Sequence, residues 1–258
     1  MKSSWIKSIP VNDPNFYQFT LFCLPYAGGG ASIFHNWQEQ LKTYGIKVCS
    51  IALPGREGRL TDASIDNALE LTRKIYNGIK TELRERPFMI FGHSMGGLLA
   101  YELSQFIFRK EKLLPEILFL SGTDLKGRNS AVPPIHSLTD DKLAQYLVKT
   151  GGITEEISRN ELFKEIYLPI IRNDYKLVET YDCSMDKLNT KICVFHGNQD
   201  TSVDYTDVLK IEELSDDFKI ITFEGNHFFI NTGYRNICSR IGEQLQDLIK
   251  EREEYGTK

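Results

Sequence analysis

Six short apolar runs, rich in β-branched and aromatic residues, are spaced along the chain and bounded by turn residues. They are Phe19 to Tyr26, Lys47 to Pro54, Phe88 to His93, Glu116 to Gly122, Lys191 to Gly197 and Phe218 to Gly225. Their length and composition predict strands buried on both faces. Between them the apolar positions recur every three or four residues, which predicts amphipathic helices over Ile33 to Lys42, Ser64 to Arg86, Met95 to Lys110, Tyr205 to Leu214 and Tyr234 to Glu251. Strands that are apolar on both faces need cover on both sides, so this alternation predicts an α/β class: a mostly parallel sheet flanked by helices.

The rhythm breaks once, between Gly122 and Lys191, where no convincing strand occurs. A loop containing Asp124, Gly127, Pro133 and Pro134 leads into helical patterns around Asp140 to Thr150 and Arg159 to Tyr181, separated by Gly151 and Gly152. Long insertions of this kind tend to be lids or binding loops, so residues 124–187 are expected to form a helical lid. A chain of 258 residues can remain one domain, and residues 1–258 are expected to do so.

Composition narrows the function. Hydrophobic residues make up 41% and charged residues 26% of the chain, as in ordinary globular proteins. The net charge is −4 and no basic stripe occurs, which argues against a nucleic-acid partner. The first residues lack the apolar core of a signal peptide, and no stretch is long and apolar enough to span a bilayer; a soluble cytoplasmic protein is expected. The five cysteines, Cys23, Cys49, Cys183, Cys193 and Cys238, are scattered and are expected to be free, mostly buried thiols. Without a CxxC pair or an HExxH helix, neither a metal nor a cofactor is expected.

The sharpest chemical signal is Gly92-His93-Ser94-Met95-Gly96, a G-x-S-x-G sequence with a predicted strand before it and a predicted helix after it. A serine on so tight a turn projects its hydroxyl above the sheet, and the flanking glycines are required because a Cβ there would strike neighbouring backbone. The helix that starts at Met95 presents free N–H groups and a positive dipole end to a developing oxyanion. This arrangement resembles the α/β-hydrolase fold, with Ser94 as nucleophile.

A serine hydroxyl needs a base, and the base needs a carboxylate to hold its tautomer; in this fold they follow in the order serine, acid, histidine. His227, directly after the last predicted strand, is the preferred base. His196 is the rival, within a strand where a histidine satisfied by backbone is the simpler expectation. His136 could border the site from the insertion, and His93 should pack beside the turn without acting as base. Asp200, three residues beyond Gly197, is the preferred acid; Asp204 and Asp207 are fallbacks, more naturally a helix cap and a solvated face. The glycine-rich turn Ala27-Gly28-Gly29-Gly30 supplies a backbone N–H in such folds, so Ala27 and Met95 are the candidate oxyanion donors. No Walker or dinucleotide spacing accompanies those glycines.

Five segments together carry a more specific likeness: Leu24-Pro-Tyr-Ala-Gly-Gly29, Leu53-Pro-Gly-Arg-Glu57, Phe91-Gly-His-Ser-Met-Gly-Gly97, Arg172-Asn-Asp-Tyr175 and Gly225-Asn-His-Phe-Phe229. In this order the chain resembles the type II thioesterases of nonribosomal peptide and polyketide synthesis over nearly its whole length. Tyr26 and Asn226 depart from the pattern of that family. The resemblance implies hydrolysis of acyl or aminoacyl thioesters from the phosphopantetheine arm of an acyl or peptidyl carrier protein. It also implies catalysis by Ser94, Asp200 and His227 and oxyanion donors at Ala27 and Met95. A monomer is the expected state. The insertion mixes nine Lys and Arg with eleven Asp and Glu, so no basic docking face for a carrier is legible. A small-molecule carboxylesterase or lipase, or a noncatalytic binding relic, would share the scaffold.

Overall fold

The computed structural model describes residues 4–9, 16–125 and 133–255. Seven strands form one sheet: β1 (Ile6–Lys7), β2 (Phe19–Leu24), β3 (Ile46–Ile51), β4 (Phe88–His93), β5 (Ile117–Ser121), β6 (Lys191–Gly197) and β7 (Phe218–Phe223). Their order is β1-β3-β2-β4-β5-β6-β7, with every pair parallel except β1 against β3. The chain reverses its direction of travel across the sheet between β2 and β4, the neighbouring strands at its centre. In open α/β sheets such a switch point leaves a crevice at the carboxyl ends of the strands. This is the α/β-hydrolase architecture expected from the pattern.

Eight α-helices accompany the sheet among the described residues: α1 (Trp37–Leu41), α2 (Ala68–Ile79), α3 (Met95–Glu111), α4 (Asp140–Lys149), α5 (Glu155–Ser158), α6 (Glu161–Thr180), α7 (Tyr205–Leu209) and α8 (Phe229–Tyr255). The two faces of the sheet bury separate cores. Phe22, Ile90, Leu118 and Val194 pack against α2 and α3 on one face. Leu21, Phe91, Phe119 and Phe195 pack against Trp37 of α1 and Ile237 and Ile241 of α8 on the other. Alternate residues of each strand thus meet opposite layers, which is why these strands carry no polar face.

Several predicted bounds change for local reasons. The single helix predicted over Ser64 to Arg86 begins at Ala68, where Asn67 accepts the Glu70 N–H at 2.9 Å as an N-cap, and ends at Ile79 before a 3-10 turn at Glu82–Arg84. The Tyr205 to Leu214 helix divides into α7 and a 3-10 segment, Lys210–Leu214. β7 is half exposed instead of buried on both faces, because it is the edge strand. β1, unforeseen, is two residues long and offers no periodicity to detect.

The interval between β5 and β6 contains no strand among the described residues, and α4, α5 and α6 fill it. Ile135, Leu143, Leu147, Leu168 and Ile171 give it a small apolar cluster of its own. Residues 126–132, with Gly127 of the predicted loop, lie outside the described residues. No described helix is long and apolar enough to cross a membrane. All five cysteines are free, four buried and Cys183 half-buried.

Candidate active site

Ser94 sits at the carboxyl end of the central strand β4 with φ 55° and ψ −118°, a conformation that side-chain-bearing residues rarely adopt. The surroundings enforce it. A Cβ on Gly92 would stand 1.9 Å from the Gly96 carbonyl oxygen, and one on Gly96 would stand 2.2 Å from the Leu24 carbonyl oxygen. The glycines therefore let the turn close on itself and let α3 press against β2. The Ser94 N–H donates to the Ser121 carbonyl at 2.7 Å, tying the bend to β5.

The loops after β6 and β7 bring Asp200 and His227 to the same end of the sheet. His227 Nε2 lies 2.9 Å from Ser94 Oγ, and His227 Nδ1 lies 2.7 Å from Asp200 Oδ2. The other Asp200 oxygen accepts the amides of Ser202 at 2.7 Å and Val203 at 3.2 Å, so the carboxylate cannot turn away. Burial acts to raise the Asp200 carboxyl, but the hydrogen bond and charge of His227, with the two amides, outweigh it and hold the group below the usual aspartate value. Ala27 and Met95 line the same cleft as Ser94 and His227. Their N–H groups take no part in the bonds that close the two turns, Gly29 N–H to Tyr26 O at 2.8 Å and Gly97 N–H to Ser94 O at 2.9 Å.

The thioesterase domain family matches residues 19–245, most of the chain. This protein belongs to the thioesterase family. The gramicidin S biosynthesis protein GrsT of Aneurinibacillus migulanus is 32% identical over 95% of this chain and 94% of its own length. Among solved structures, the type II thioesterase BorB from the borrelidin biosynthetic cluster superposes with a TM-score of 0.82 at 29% identity, covering 93% of this chain and 97% of that one. ClbQ from the colibactin NRPS/PKS pathway gives 0.82 at 28% identity, with 90% and 98% covered.

In this thioesterase the remaining candidates separate cleanly. His196 is buried beside Tyr205, with ring centroids 5.1 Å apart, and its Nδ1 has no hydrogen-bond partner among the described residues, contrary to the backbone satisfaction expected. Burial lowers its pKa, against the opposing charge of Asp200. His136 is turned to the Glu179 carboxylate, 2.5 Å from Nδ1, and does not border the cleft. Asp204 caps α7 by accepting the Thr206 N–H at 2.8 Å, and Asp207 pairs with Lys210 at 2.7 Å on the surface. No described cluster of His, Cys, Asp and Glu could hold a metal ion.

His93 has a larger part than its sequence position indicated: fully buried, it hydrogen-bonds the backbone of His227. The thioesterase cleft itself is narrow, about 30 Å³ over Ser94, room for roughly two waters. Tyr26 and Phe228 line it together with Thr150, Tyr175 and Val178 of the insertion. Tyr26, the departure noted above, packs edge-on to Phe228 and donates its hydroxyl to Asn231 at 3.1 Å. Asn226 accepts the Phe228 N–H at 2.9 Å, which shapes the turn that carries His227.

Proposed function

We propose that this thioesterase hydrolyses acyl or aminoacyl groups from the phosphopantetheine thiol of an acyl or peptidyl carrier protein, through an acyl-serine intermediate. Ser94 Oγ attacks the thioester carbon while His227 Nε2 takes its proton. Asp200 keeps the proton on Nδ1 and supports the imidazolium that forms. The amides of Ala27 and Met95 receive the negative charge on the carbonyl oxygen. The imidazolium then protonates the leaving sulfur, and a thiol, with a pKa of about 8.5, departs more readily than an alcohol. Water, deprotonated by His227, releases the acid and restores Ser94.

The observation that carries this reading is the 2.9 Å approach of His227 Nε2 to a serine hydroxyl held on a strained turn. The carrier-bound substrate draws its support from the relatives in peptide and polyketide pathways, a step beyond membership of the family. Residues 124–187 act as a lid within a single domain, a reading supported by Thr150, Tyr175 and Val178 lining the same cleft as Ser94. The decisive experiment compares hydrolysis of short acyl carrier-protein thioesters with that of matched oxygen esters. Faster turnover of the oxygen esters would replace the carrier reading with a general esterase.

A further inference from the structure

Arg56 and Asp174 belong to two of the sequence segments singled out above, yet neither is a member of the triad. They are deeply buried charges, 5% and 1% exposed. Two parallel hydrogen bonds join them, Nη1 to Oδ2 at 2.6 Å and Nη2 to Oδ1 at 2.8 Å. Apolar side chains of similar volume often hold a core as well as a buried ion pair does, so stability alone is a weak reason for this one.

What the pair touches supplies a better reason. Asp174 Oδ2 also accepts the Gly28 N–H at 2.7 Å, and Arg56 Nη1 donates to the Gly29 carbonyl at 3.1 Å. These are the two residues that follow Ala27. Because a peptide is planar, the Gly28 N–H bond fixes the Ala27–Gly28 unit and the bond to the Gly29 carbonyl fixes the Gly29–Gly30 unit. The turn bond from Gly29 N–H to Tyr26 O at 2.8 Å then ties this braced segment to the Tyr26–Ala27 unit, which carries the Ala27 N–H. Packing reinforces the bonds: Gly28 has φ 79°, and a Cβ there would stand 2.6 Å from Ile171, one turn before Asp174 on α6. Glu57, beside Arg56, accepts the Ser32 N–H at 3.0 Å and braces the far end of the same loop.

We infer that Asp174, with Arg56, is a positioning residue that aims the Ala27 N–H at the oxyanion, so that helix α6 of the insertion sets the competence of the oxyanion hole. This rests on the serine mechanism proposed above and deepens it. α6 also supplies Tyr175 and Val178 to the cleft wall. The helix that lines the cleft is therefore the helix that holds the oxyanion loop, and its withdrawal would release Gly28. Hydrolysis is thereby coupled to closure over a bound acyl group.

The test uses the full chain with two variants, Asp174→Asn and the double variant Arg56→Met/Asp174→Leu, which removes both charges and keeps apolar volume. Melting temperature, kcat and KM on a short acyl thioester, and affinity for an alkyl trifluoromethyl ketone are measured. The ketone forms a tetrahedral adduct on Ser94 whose oxygen occupies the hole. The expected result for the double variant is a fold near that of the parent, KM within about threefold, and kcat and ketone affinity both lower by about 100-fold, the scale of one oxyanion donor. Asp174→Asn keeps an acceptor and should lose only about tenfold in each. A folded double variant with kcat and ketone affinity within threefold of the parent overturns the inference. Should the double variant not fold, unchanged kcat and ketone affinity in Asp174→Asn overturn it equally. Ser94→Ala separates the levels: activity retained there removes the serine mechanism itself, whereas an inactive Ser94→Ala beside fully active pair variants removes only the positioning role.

Discussion

His93 Nε2 lies 2.8 Å from the backbone carbonyl of His227, across 134 positions of sequence. A carbonyl only accepts, so Nε2 carries the proton, and Nδ1 is left to accept the Ser121 hydroxyl at 2.8 Å. The residue before the proposed nucleophile thus tethers the main chain of the proposed base. Burial, and secondarily the charge of His227, push His93 down to about 3, so the tether stays neutral wherever the protein is folded near neutrality.

That displacement gives stability a pH dependence of definite sign. Between the ordinary histidine value and about 3, the unfolded chain binds a proton that folded His93 refuses. The contribution is complete above about pH 6.5 and is lost as pH falls, by up to about 1.4 kcal/mol per pH unit. Asp200, held below its ordinary value, acts in the same direction at lower pH. Urea unfolding at about pH 7 and about pH 5 should show a loss of roughly 2 kcal/mol from His93. The loss should be smaller in His93→Gln, which cannot titrate but can still donate to the carbonyl; equal losses would contradict the account.

Ser94→Ala should remove at least about 10⁴-fold of thioester turnover while leaving the melting temperature close to that of the parent. A fluorophosphonate probe should label the parent and not the variant. Labelling of another residue at the same rate would relocate the nucleophile.

Asp200→Asn should leave the fold intact and lower kcat by about 10⁴-fold, because an amide can donate to Nδ1 and leave Nε2 protonated, unable to accept from Ser94. Steady-state kinetics with unchanged KM would mark this as a loss at the chemical step. A fall of less than tenfold would show that His227 is oriented by something else.

Gly96→Ala introduces a Cβ 2.2 Å from the Leu24 carbonyl oxygen, backbone that cannot step aside. The expected cost is about 1–3 kcal/mol or more, since overpacking here forces β2 and α3 apart. Chemical denaturation reads it directly, and a variant as stable as the parent would mean that the turn is looser than its geometry indicates.

Tyr175→Ala widens the cleft from the insertion side. The ratio of kcat/KM for hexanoyl over acetyl thioesters should rise, by about 15- to 60-fold if two or three methylenes gain a buried place. An unchanged ratio would place the acyl group elsewhere.

The sequence by itself determined what contiguous residues can encode. Gly92 and Gly96 around Ser94 record a steric demand of one turn, the apolar runs record strands covered on both faces, and the order Ser94, Asp200, His227 follows strand ends that a parallel sheet must place at one edge. Only the tertiary structure decided which distant groups complete the site. His93 meets the His227 carbonyl because the loop after β7 returns to the end of β4, and Arg56 meets Asp174 next to Gly28 because α6 is seated on the loop after β2. The width of the cleft was settled in the same way. Such contacts join residues far apart in the chain, and no local periodicity or turn chemistry records a distance of that kind.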